Sequence, residues 1–156
     1  MYHITVQRQL PKNIFSPKLS LLKQWVSIAL HHKVSSGTIA LCLVSIAKMR
    51  YFNRTYRHKD KSSNVLAFPA TLPADVQQQL TSPLLGDIII CPTIVNNEAK
   101  QQQKSPIDHW QHIVIHGTLH IIGYDHQTAN EAAIMEDREI NLLASLGTKN
   151  PYLLTE

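Results

Sequence analysis

Residues 116–126 read His-Gly-Thr-Leu-His-Ile-Ile-Gly-Tyr-Asp-His, and this stretch restricts what the chain can fold into more than any other. Its histidines stand at relative positions 0, +4 and +10. On a helix, residues four apart share a face with Cβ atoms about 5–6 Å apart, so His116 and His120 can reach one ion. Gly123 offers the left-handed backbone that commonly ends a helix and lets the chain turn back. That reversal returns His126 as a third nitrogen donor. Three imidazoles on zinc leave one tetrahedral position open, as in catalytic rather than closed structural sites. The expected site is a metal centre at the end of a helix.

The chain has nine histidines, and most histidines on helices are surface or satisfied core residues. His112 stands four before His116 and shares its stripe, so spacing alone does not choose the pair. His109 and His112 lack the glycine stop and the third partner and are left out of the site. The spacing, with glycine at the same place, is that of the metzincin signature His-Glu-x-x-His-x-x-Gly-x-x-His. Metzincins need the glutamate as general base, and this chain has Gly117 there. The ligand frame is present without the peptidase base.

The full string resembles the signature of the YbeY family of bacterial metal-dependent endoribonucleases, His-Gly-x-Leu-His-x-x-Gly-Tyr-Asp-His. His116, Gly117, Leu119, His120, Gly123, Tyr124 and Asp125 match, followed by His126. A second block, Asn53 to Pro69, resembles the family's Asn-x-x-Tyr-Arg-x-Lys-Asp-x-Pro-Thr-Asp/Asn-Val-Leu-Ser-Phe-Pro. Here Tyr56, Arg57, Lys59, Asp60, Asn64, Val65, Leu66, Phe68 and Pro69 match, while Ser62, Ser63 and Ala67 replace Pro, Thr and Ser. The resemblance covers most of the chain from Tyr51 onward.

Six of the fifteen Lys and Arg residues fall between Lys48 and Lys61. Lys48, Arg50 and Arg54 read as a solvated helix face. Arg57, inside the family block, is the candidate catalytic residue. A guanidinium holds phosphate through a planar fork and stays charged, which suits a group offsetting charge on a scissile phosphate. Asp125 has two readings at this stage, a carboxylate orienting a ligand imidazole or a loop cap. The base that would activate water is left open.

A length of 156 residues fits one domain with its own core. Net charge of +4 is compatible with RNA without arguing for it. Cys42 and Cys91 lie in apolar runs and share no CxxC spacing, so they read as small buried hydrophobes in a reducing compartment. The N-terminus lacks the apolar core of a signal peptide, and the run Ile39 to Val44 is too short to span a bilayer. A cytoplasmic location with no membrane association is expected.

Period-two alternation predicts a strand at about 2–7, and apolar runs predict strands at 38–44, 64–68 and 85–91. Helices are expected from Pro17 to about His32, capped by Ser16, and from Ser45 to about Arg57. Others should run from Pro92 to about Gln103, from Pro106 through the histidines, and from Thr128 to Leu146. The last opens on a Thr-Ala-Asn-Glu capping box, with Ile134, Ile140, Leu143 and Leu146 as its apolar set. Residues 71–82 read as a variable excursion. The fold class is α+β: a single zincin-like domain with a small, mostly parallel four-stranded mixed sheet, Thr38 to Val44 central.

The resemblance implies a zinc-dependent endoribonuclease cutting single-stranded RNA, with one Zn2+ per chain on His116, His120 and His126. It further implies ribosomal RNA processing, including 16S rRNA 3′ end maturation, and ribosome quality control, with the small subunit and assembly factors as partners. Two other classes compete with this reading. A zinc peptidase is opposed by Gly117. A ribosome-assembly binding factor with a structural zinc would carry the same ligands without nuclease activity.

Overall fold

The computed structural model describes residues 1–153. Four strands, β1 (Tyr2–Arg8), β2 (Gly37–Leu43), β3 (Val65–Pro69) and β4 (Leu84–Ile90), form one sheet in the order β1-β2-β4-β3. β1 pairs parallel with β2, and β2 parallel with β4. β3 pairs antiparallel with β4 and forms an edge of the sheet. The mixed, mostly parallel sheet is therefore the one expected, with β2 in its interior. Ile39, Leu41 and Leu43 of β2 and Ile88 and Ile90 of β4 are buried to 1% exposure or less. Each such side chain stabilises the fold by roughly 1.5–3 kcal/mol relative to exposure.

Among the described residues six α-helices accompany the sheet: α1 (Leu19–His31), α2 (Ile46–Phe52), α3 (Ala74–Gln79), α4 (Pro92–Gln101), α5 (Pro106–Ile121) and α6 (Ala129–Ser145). Leu22, Trp25 and Val26 of α1 and Trp110, Ile113 and Val114 of α5 pack with the β2 and β4 side chains in the main core. Val44, Met49, Leu66, Ile89 and Cys91 form a separate cluster with α2. On its other side α5 meets α6 and α1 through Ile115, Leu119, Met135, Leu143 and Ala29. The helix carrying His116 and His120 is thus held between the sheet and α6. Gly117 explains how close that packing is. A Cβ at Gly117 would lie 3.1 Å from both Ile88 Cγ2 and Val65 Cγ2.

Several expectations are corrected. Ser16 does not cap α1, which begins at Leu19 with no side-chain cap. The Ser16 hydroxyl instead accepts from Arg8 Nε at 3.3 Å. Residues 74–79 of the supposed excursion form a short exposed helix, and Gln77 ties it to the Leu84 backbone. In α6 the buried stripe is Met135, Glu139 and Leu143, whereas Ile134 is 62% exposed. The capping box is half made, with Thr128 Oγ1 accepting from the Glu131 amide at 3.1 Å.

The helix expected over 45–57 is two pieces. Ser45 caps α2, which gives way after Phe52 to a π-turn over Asn53–Arg57. The buried Asn53 amide donates to Lys61 O at 2.8 Å and to Ser63 Oγ at 3.0 Å. Those bonds fix the loop that follows. The π-turn ends at Arg57, and such turns are common near functional sites.

Candidate metal centre

The three signature histidines converge. One nitrogen from each of His116, His120 and His126 lies within 4.8 Å of the others. Their ring centroids are 4.7 Å (116–120), 4.8 Å (120–126) and 5.8 Å (116–126) apart. The first two come from adjacent turns of α5. The third returns because the helix ends where Gly123 takes φ +105°, with the Tyr124 amide bonded to Leu119 O at 3.0 Å. That is the glycine-dependent helix stop the spacing requires.

Burial, reinforced by the neighbouring His116 and His126, lowers the His120 pKa to about 4. Its imidazole is therefore neutral at physiological pH, the state that binds metal. Asp125 takes the loop role: its carboxylate accepts from the His126 amide at 2.8 Å. It also favours the protonated form of His120 at a distance, a smaller effect than burial.

His116 is held from behind. Its Nδ1 is hydrogen-bonded to Glu139 Oε1, and Glu139 is fully buried. Burial alone would raise the Glu139 pKa, but bonds to His112 and His116 outweigh it and hold the carboxyl down at about 2. The other oxygen takes His112 Nε2 at 3.1 Å and the Tyr152 hydroxyl. Burial and then Glu139 raise the Tyr152 pKa, so its hydroxyl remains a donor. This carboxylate escaped the sequence reading. The available signal was a glutamate four residues from both Met135 and Leu143, in the middle of a buried helical stripe.

Metal binding fits these features. Three imidazole nitrogens converge, and His116 has its second nitrogen engaged by a buried carboxylate, the outer-shell pattern of metal-binding histidines. The donor set suits zinc, among the first-row ions that favour imidazole.

Arg57 lines the same cleft, of about 680 Å³, together with His116, His120, His126, Lys59 and Lys61. Its Nη2 donates to Ala67 O at 3.0 Å, and its guanidinium carbon stands 5.5 Å from the Phe68 ring centre. It is exposed on the cleft side. Arg50 and Arg54 are occupied elsewhere: Arg50 makes two bonds to Asp60 at 2.8 and 2.9 Å, and Arg54 approaches the same carboxylate at 3.9 Å. The structure thus brings Arg57 to the histidines and leaves the other two in a surface pair. His109 is also outside the cluster, bonded to Glu98 at 3.0 Å. Burial would raise the Glu98 pKa, yet bonds from His109 and Asn64 lower it.

The sequence profile of the family described as Endoribonuclease YbeY matches residues 6–147. An Endoribonuclease YbeY of Francisella tularensis is 44% identical over 136 residues, covering 87% of this chain and 81% of its own. One from Pseudomonas putida is 43% identical over 152 residues, covering 97% and 94%. The solution structure of a Thermotoga maritima protein shares the fold, with a TM-score of 0.56 and 20% identity across 98% of this chain and 99% of that one. Similarity this strong across nearly the whole length, over the same residues that build the cleft, places the chain in the YbeY family.

Proposed function

We propose that this protein is a metal-dependent endoribonuclease that hydrolyses phosphodiester bonds in single-stranded RNA. The observation that carries the reading is one cleft holding three convergent imidazoles and Arg57, which pairs with no carboxylate among the described residues, on a chain similar to proteins named endoribonucleases. His116, His120 and His126 hold one zinc ion per chain. A bound zinc supplies Lewis acidity, making water a better nucleophile near neutral pH and drawing charge from a phosphoryl oxygen. Arg57 binds the scissile phosphate through its fork, and its bond to Ala67 O keeps the side chain aimed along the cleft. Lys59 and Lys61 extend the positive lining and hold the flanking phosphates. Gly117 leaves no carboxylate where a zinc peptidase carries its base, which favours RNA over peptide chemistry.

The cellular setting that follows from the resemblance is ribosomal RNA processing in the cytoplasm, including 16S rRNA 3′ end maturation and ribosome quality control, with the small subunit and assembly factors as partners. No described helix is long and apolar enough to cross a membrane. The test is cleavage of single-stranded RNA by zinc-loaded protein, beside Arg57→Ala and His116→Ala. Losing one charged hydrogen-bonding partner costs about 1.5–3 kcal/mol, so Arg57→Ala should cut about ten- to a hundredfold slower with zinc retained. Arg57→Lys keeps the charge but not the fork and should also be slow. Full activity in Arg57→Ala would return that arginine to an ordinary surface role. No cleavage by the zinc-loaded parent would leave an RNA-binding assembly factor with a structural metal.

A further inference from the structure

A buried carboxylate on α6 stands behind the histidine stripe of α5. Glu139 has no solvent exposure, and its partners His112, His116 and Tyr152 approach from two segments of the chain. An ionised carboxylate only accepts hydrogen bonds, so every partner must donate. That requirement puts a proton on the His116 Nδ1 and on the His112 Nε2 that face Glu139. A His116 that binds metal then offers Nε2. We propose that Glu139 is the positioning residue of the metal centre, holding His116 as the Nδ1–H tautomer with Nε2 toward the ion and keeping His112 out of the ligand set.

The inference rests on the three-histidine metal reading and adds what decides between two histidines four residues apart. His112 and His116 lie on one stripe, with ring centroids 6.2 Å apart. His112 has its Nε2 spent on Glu139 and Tyr152, and its Nδ1 is buried without a hydrogen-bond partner. Neither nitrogen is offered to the cleft. His116 spends one nitrogen on the same carboxylate and keeps the other. His112, His116 and Glu139 also bring donor atoms within 4.8 Å of one another. Glu139 nevertheless has both oxygens engaged in hydrogen bonds, so this second group reads as support for the ion at the first. A carboxylate that merely tied α6 to α5 would matter for stability and leave ligand tautomer and zinc affinity alone. A positioning carboxylate changes both.

Nitrogen-15 NMR of histidine-labelled protein loaded with Zn2+ gives the direct test, with no substitution needed. The expected result is a protonated Nδ1 and a zinc-shifted Nε2 at His116, with no zinc-shifted nitrogen at His112. Coordination of His116 through Nδ1, or of His112 through either nitrogen, overturns the proposal. Absence of zinc shifts at His116, His120 and His126 together overturns the underlying metal reading and the proposal with it. Zinc affinity then tests the energetic claim. Glu139→Leu should bind Zn2+ about ten- to a hundredfold more weakly. Glu139→Gln, which keeps an acceptor oxygen, should fall between Leu and the parent. Parental affinity in folded Glu139→Leu overturns the proposal, as does a parent that binds two zinc ions and loses one in that variant. Should Glu139→Leu fail to fold, the tautomer measurement on the parent still decides.

Discussion

Two clusters share His116 and differ in what surrounds them. His116, His120 and His126 open on a cleft, contain no carboxylate, and are partly or fully exposed. His112, His116 and Glu139 lie behind, with the carboxylate fully buried and both its oxygens occupied. In each, the donor atoms lie within 4.8 Å of one another. Proximity of ligating atoms therefore does not make a metal site. Lone pairs that are both free and accessible do: in the buried cluster Glu139 has both oxygens engaged, and the unpartnered Nδ1 of His112 is shut off from the cleft.

The largest effect that would break this comparison is metal loss. His120→Ala should lose most of its zinc by metal analysis, whereas His112→Ala should still bind about one ion per chain. Equal loss in both would merge the clusters into one site. A smaller change concerns the packing that separates them from the sheet. Gly117→Glu forces a side chain against Ile88 and Val65, where even a Cβ would sit at 3.1 Å. Overpacking of this kind costs about 1–3 kcal/mol, so denaturant unfolding should shift accordingly. An unchanged midpoint would mean that α5 moves aside freely.

Acid sharpens the comparison because His120 and Glu139 titrate in different windows. His120 has a pKa lowered from 6.5 to about 4 in the folded apo-protein, so between those values the unfolded chain binds more protons. Its contribution to apo stability is present above pH 6.5 and falls as pH drops toward 4. Glu139 has its pKa lowered from 4.5 to about 2, so its contribution is present above 4.5 and is lost toward pH 2. Unfolding of apo-protein at pH 7 and pH 5 should show a loss that His120→Ala reduces. If that variant loses as much stability as the parent, His120 is not the group responsible. The smallest effect is expected at Asp60, whose partners Arg50 and Arg54 are exposed. Asp60→Asn should leave the melting temperature and zinc content unchanged within error; a clear drop in either would give this surface pair a part in shaping the Arg57 loop.

How much of this was legible beforehand follows from distance along the chain. His116, His120, Gly123 and His126 lie within eleven residues, and helical geometry turns that spacing into a convergence without any knowledge of the rest. The strands were legible because period-two patterns and apolar runs are local too. Arg57 was singled out by its sequence block, not by position in space. The π-turn that ends at Arg57 begins at Asn53, whose side chain bonds Lys61 and Ser63, and no helical pattern announces either. The Ser16 cap failed for a related reason: its hydroxyl is claimed by Arg8 on another element. Glu139 lay furthest from view, because a lone acidic residue in a helix usually faces water and only the fold of α6 onto α5 buries it.

The sequence by itself determined the ligand spacing, the helix stop and the places of the four strands, since each is set by backbone geometry over a few residues. Only the tertiary structure decided that His112 is tied away, that Gly117 is a contact with Ile88 and Val65, and that Arg57 shares a cleft with the histidines. Those outcomes depend on which side chains from remote segments compete for the same hydrogen bond or the same space, and that competition exists only once the chain has packed.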